Sequence, residues 1–137
     1  MDLTQAIYAR LVGDAELVSM LAEYEGLPAV FTDENVPENA TLPFAWTSGE
    51  VAAVPDDTKL QEGRQIMRDI GFYARRTGSA EEVEAIAERG RALFHRHAIA
   101  ISDSRTIVAW CSGPVVAPTD NNVIGRIVTV HLRIEKN

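Results

Sequence analysis

Apolar residues recur along this chain with two different periods, and each change of period marks an element. Ile7, Leu11 and Val12 line one side of a helix, with Asp2 and Gln5 spaced as a capping box at its start. Gly13-Asp14 interrupts the pattern, and Asp14 is placed to cap a second short turn carrying Leu17, Val18 and Leu21, which ends near Glu25-Gly26. The strongest helical signal lies in the middle of the chain. Ser79-Ala80-Glu81-Glu82 has the form of a capping box, with Ser79 as cap. Val83, Ile86, Ala87, Gly90, Leu93 and Phe94 then follow at helical spacing. Glu81, Glu84 and Glu88 precede Arg91 and Arg96, the order the helix dipole favours.

Elsewhere the period is two. Ala29-Val30-Phe31 is a short β piece, followed by a polar loop from Asp33 to Asn39. Leu42 to Thr47 alternates as a strand with Pro43 at its start. Gly49 to Gly63, with Pro55-Asp56-Asp57 inside it, reads as a long acidic hairpin loop. Residues 64–76 give the clearest strand. Ile66, Ile70, Phe72 and Ala74 share one face, and Met67, Asp69, Tyr73 and Arg75 share the other. Arg68 falls on the apolar face, so it must sit at a strand end or find a partner there. Thr106 to Cys111 is a further strand, continued by Val115-Val116 beyond a kink or bulge at Gly113-Pro114. After a turn at Asp120-Asn121-Asn122, the last strand runs from about Val123 to Ile134, with Ile124, Val128, Val130, Leu132 and Ile134 facing one way and Ile127, Thr129, His131 and Arg133 the other. The predicted fold is α+β: one domain over residues 1–137, an antiparallel sheet with an N-terminal and a central helix packed mainly on one face.

Composition narrows the class. Apolar residues make up 46% and charged residues 24% of 137, the balance of a globular domain and not of a disordered chain. No apolar run approaches the ~20 residues that span a bilayer. The opening residues lack the basic and apolar regions of a secretory signal, so the expectation is a protein that stays in the cytoplasm and off membranes. The single cysteine, Cys111, lies in an apolar β run and reads as a small core residue.

Charge is unevenly placed. Residues 1–63 carry twelve acids against Arg10 and Lys59, a balance of −10; residues 64–137 carry eleven bases against eight acids, a balance of +3, giving −7 for the chain. An acidic chain is a poor candidate for gripping nucleic-acid phosphates. Two unlike halves are either solvated surface or patches that meet across subunits. On the second account, Arg68, Arg75 and Arg76 facing Asp33 and Glu34 are the candidates for subunit contact.

No residue set points to catalysis, a cofactor or a metal. His95 and His97 are two apart, a spacing that separates them on a helix, and histidinium near a helix C-terminus suits the dipole. There is no G-x-S-x-G elbow and no phosphate-binding glycine loop. Asp56-Asp57 lack the alternating acids and bidentate glutamate of a calcium loop. Arg75-Arg76 after Phe72-Tyr73 is the nearest approach to a nucleic-acid platform, set against a net charge of −7.

The order of these pieces resembles the tail terminator, or tail-completion, family of long-tailed bacteriophages and gene transfer agents. The resemblance rests on Ala6 to Leu11 with Gly13 to Leu17, on Val30-Phe31 leading to Leu42-Pro43-Phe44, on Asp69 to Ala74 with Ser79 to Glu82, and on Gly125 to Val130. It implies a structural protein of the particle's tail neck, assembled in the bacterial cytoplasm, with no enzymatic activity. It further implies a homo-oligomeric ring, a hexamer, that caps the tail tube, stops its growth and offers a joining surface to the head connector. DNA would pass through the lumen without specific binding, past acidic loops such as Asp56, Asp57 and Glu62. The alternatives are another neck or head-closure component, a small host protein-binding module, and a small enzyme on the same scaffold.

Overall fold

The computed structural model describes residues 3–47, 50–55, 63–101, 104–119 and 122–136. The chain opens with two helices, α1 (Leu3–Val12) and α2 (Ala15–Met20). Asp14 separates them as the sequence predicts: its carboxylate accepts the Leu17 N–H at 2.9 Å and caps α2. Asp2, the cap expected for α1, lies outside the described residues. Two short strands follow, β1 (Glu23–Tyr24) and β2 (Leu27–Pro28). They form a hairpin whose central residues, Glu25 (φ 51°) and Gly26 (φ 82°), are both left-handed. That turn matches the twist of a hairpin, and glycine adopts it without strain.

Among the described residues the main sheet has six strands. β3 (Val30–Phe31) runs parallel to β4 (Phe44–Trp46), and all other neighbours are antiparallel: β5 (Glu50–Pro55), β6 (Gly63–Arg75), β7 (Ser104–Val116) and β8 (Val123–Lys136). Across the sheet the order is β3, β4, β6, β8, β7. β4 and β5 share one edge of β6: Phe44 to Trp46 lie opposite Tyr73 to Gly71, and Glu50 to Pro55 lie opposite Arg68 to Arg64.

The three helices of the described residues cover one face. α3 (Glu81–Phe94) lies on β6, β7 and β8, and α1 and α2 pack beside it. Beneath them are the residues that the period-two pattern assigned to the interior: Ile66, Ile70, Phe72 and Ala74 of β6, and Val128, Val130, Leu132 and Ile134 of β8. They meet Val83, Ile86, Ala87 and Phe94 of α3, and Ile7, Leu11 and Leu17 from the N-terminal pair. The α+β architecture and the single helix-covered face agree with the sequence pattern.

Two expectations are corrected. The stretch from Gly49 to Gly63 is not loop throughout, because Glu50–Pro55 is a strand paired with β6. Its Pro55 sits at the strand end on a sheet edge, where a missing donor is tolerated. α3 starts at Glu81 with Ala80 in the cap position, and the Ser79 hydroxyl accepts from the Glu81 N–H at 3.2 Å, so the serine bonds two residues ahead, not three. Of the two places open to Arg68 the structure shows the second: it sits within β6, 4% exposed, and finds a partner, its Nη1 donating to Thr4 Oγ1 at 2.8 Å. The kink at Gly113-Pro114 is a β-bulge, where the register with β8 shifts between Ser112 and Val115 and Gly113 takes φ 89°.

Candidate functional site

With the helices on one face, the other face of the sheet has no layer over it among the described residues. It divides into two regions. Around β3, β4 and β6 an aromatic cluster fills the surface: Tyr24 against Phe31, Phe31 against Phe44, and Tyr73 against both Phe44 and Trp46, with ring centres 5.1–6.5 Å apart. Gly71 and Gly125 have no side chain here because the Tyr73 ring lies directly over them. Burial raises the Tyr73 hydroxyl pKa, with the Asp69 charge adding to the effect. The Trp46 indole N–H donates to the Asp33 carbonyl at 2.7 Å and so ties the acidic loop to this cluster.

Toward β7 the same face turns apolar and basic. His131 of β8 stacks flat on its cross-strand partner Trp110, ring centres 3.8 Å apart, and its Nε2 lies 2.9 Å from Ser112 Oγ. Burial lowers the His131 pKa, opposed by the Asp69 carboxylate. Gln65, Met67, Val108, Trp110, His131 and Arg133 border a hollow of about 330 Å³. At its end the Glu135 carboxylate is held between Arg133 (2.7 Å) and Arg105 (3.0 Å), which keep its pKa below the usual range. The sequence pattern placed His131 on this face but could not find its pairing with Trp110, which depends on the register of two strands.

A second hollow, about 570 Å³ and open to solvent, lies between α1 and α3. Its charges face their own chain. Arg10 donates to the Leu93 and Ala98 carbonyls, and Arg89 binds Asp14 and Glu16. The Arg89 hydrogen bond is the main cause of the lowered Asp14 pKa. No group of three or more histidine, cysteine or acidic side chains suited to a metal occurs among the described residues. Cys111 is buried, which pushes its thiol up to about 11, so it stays protonated and unreactive at neutral pH.

His95 corrects one further expectation. It does not serve as a cation at the end of α3: its Nδ1 accepts the Cys111 N–H at 3.0 Å, which requires the neutral ring. Burial, then Arg91, Arg96 and His97, lowers its pKa.

The residues singled out for subunit contact are not brought together. Arg68 is in the interior. Arg75 and Arg76 are exposed at the end of β6, where Arg76 binds the Asn122 and Val123 carbonyls. Asp33 and Glu34 are exposed in the loop between β3 and β4. Asp56, Asp57 and Glu62 lie outside the described residues.

The chain belongs to the tail completion protein gp17 family, whose model matches residues 5–135. Its fold is similar to that of a chain in the virion of a native gene transfer agent particle: TM-score 0.79 at 18% identity, covering 98% of this chain and 95% of that one. No curated protein matches the chain by sequence. The protein is thus a structural component of a tail-type particle.

Proposed function

We propose that the protein is a ring-forming tail terminator. Copies of the chain, six in a closed ring, cap the tail tube, stop its elongation and present a surface to the head-tail connector, while DNA passes through the lumen. The observation that carries this reading is how the fold sorts charge. The acidic first half of the chain supplies β1 to β5 and one edge of the sheet, and the basic second half supplies β8 and β7 at the other. One molecule therefore carries two unlike flanks, the arrangement from which a head-to-tail ring closes. Membership of the tail completion family supports it.

The test is the mass of the purified protein in solution, by light scattering or native mass spectrometry, alone and with tail-tube protein. A six-subunit species, free or on tube ends, supports the terminator. A monomer that ignores the tube rejects it, and binding to the portal side alone assigns the chain to another neck position. Asp56, Asp57 and Glu62 are proposed to line the lumen and repel DNA phosphates. Replacing them with Asn, Asn and Gln is expected to slow DNA ejection, and unchanged ejection removes that role.

A further inference from the structure

The large apolar side chains left exposed among the described residues are not scattered. Ile107, Val108, Trp110, Val115 and Val116 all belong to β7, and Met67 lies two strands away on the face that carries Val108, Trp110 and Val115. The remaining one, Leu27, is 61% exposed and stands alone on the β1–β2 hairpin at the opposite side of the molecule. Four strand-to-strand steps separate β3 from β7, about 19 Å. The hairpin is tied to the β3 side: the Ala45 N–H binds the Ala29 carbonyl, and the Tyr24 hydroxyl binds Asn39.

Charge divides along the same line. Leu27 is ringed in sequence by Glu23, Glu25, Asp33, Glu34 and Glu38, all exposed, and no Lys or Arg occurs between Arg10 and Lys59. The β7 flank has Arg96 exposed beside it, held there by its N–H on the Ala109 carbonyl. Arg105 and Arg133 also lie there, both bound to the Glu135 carboxylate. Contact between two β7 flanks would set arginine against arginine. The middle of β7 is also closed to strand addition, because Arg96 and His95 already take its Ala109 carbonyl and Cys111 N–H. Around Trp110 the flank therefore offers side chains to a partner.

We propose that this surface binds a second copy of the chain: Leu27 and the surrounding acids of one copy seat on the apolar, basic β7 flank of the next, around Val108, Trp110 and Val115. The contact is heterologous, so it leaves one unlike flank free at each end and propagates until a ring closes. Leu27 is the apolar anchor, and the charges set direction and exclude the reversed pairing. This deepens the ring reading and rests on it.

The test uses two full-length variants at exposed positions, Leu27→Arg and Val115→Asp, each of which sets like charge against the facing flank. Thermal unfolding first establishes that both fold as the unsubstituted protein does. Each variant alone is expected to assemble at least about tenfold more weakly. Mixed together they supply one intact acidic flank and one intact β7 flank, so they are expected to form a 1:1 dimer and nothing larger. If Leu27→Arg assembles normally and only Val115→Asp fails, β7 meets itself and the proposal is wrong. If both variants form rings but no longer bind tube ends, these flanks face the tube protein, which overturns the proposal and leaves the ring intact. If the unsubstituted chain never assembles, with or without tube protein, both readings fall.

Discussion

Gly90 is where helix and sheet come closest. A Cβ at this position would fall inside the Phe72 ring, which is fully buried beneath α3. Alanine is the better helix former, by about 1 kcal/mol. Overpacking a dense core costs about 1–3 kcal/mol. Gly90→Ala is therefore expected to lower stability, as a denaturant midpoint at unchanged slope would show; a rise would mean that Phe72 moves aside freely. Asp14 makes a different kind of contact, capping α2 while accepting two hydrogen bonds from Arg89 of α3. Asp14→Ala is expected to cost about 1–2 kcal/mol at neutral pH. The Asp14 pKa is depressed in the folded state, so its stabilisation is present above the unfolded carboxylate range and lost as pH falls through the folded value. The gap between the two proteins should accordingly close in acid. The cap was legible because it needs only four consecutive residues. The Arg89 partner was not, because it comes from 75 residues away.

At the scale of elements, the junction of α3 with β7 depends on a neutral imidazole. The Cys111 N–H donates to His95 Nδ1, and the next residue's N–H reaches the Ala109 carbonyl. Protonation of His95 removes the acceptor. Its pKa is lowered by burial and by Arg91, Arg96 and His97, so the stability it confers is present above the unfolded value of about 6.5 and fades as pH falls through the folded one. His131 titrates in the same direction for its own reasons. His95→Asn keeps an acceptor near Nδ1 without a titrating group. Melting temperatures from pH 7.5 to 5 should fall less for this variant than for the unsubstituted protein, and parallel curves would remove His95 as the cause. The stripe of α3 and the alternation of β6 and β8 were readable because buried faces impose a period. β5 was not, since Val51-Ala52-Ala53-Val54 followed by Pro55 and two acids has no alternation; its place is fixed by backbone pairing with β6. The same limit hid Trp110 against His131, which only the β7–β8 register brings together.

For the whole molecule, charge asymmetry was visible in the sequence, but its meaning depended on strand order. Had β7 paired with β4, acidic and basic halves would have interleaved; the order β3, β4, β6, β8, β7 separates them instead. The proposed contact joins apolar burial to opposed charge, and these act on different rate constants. Charges steer encounter, and their reach shrinks from about 10 Å at 0.1 M salt to about 3 Å at 1 M. Desolvated apolar contacts hold the complex once formed and govern its dissociation. The mixture of Leu27→Arg and Val115→Asp chains isolates one such contact, so its kinetics can be followed without ring closure. Raising sodium chloride from 0.05 to 0.5 M is expected to slow association of this pair severalfold while dissociation changes little. Replacing Trp110 with alanine in the Leu27→Arg chain, which contributes the β7 flank, should do the reverse. An association rate indifferent to salt would mean that the acids around Leu27 and the arginines beside β7 do not face each other, and that the segregation of charge serves a different surface of the particle.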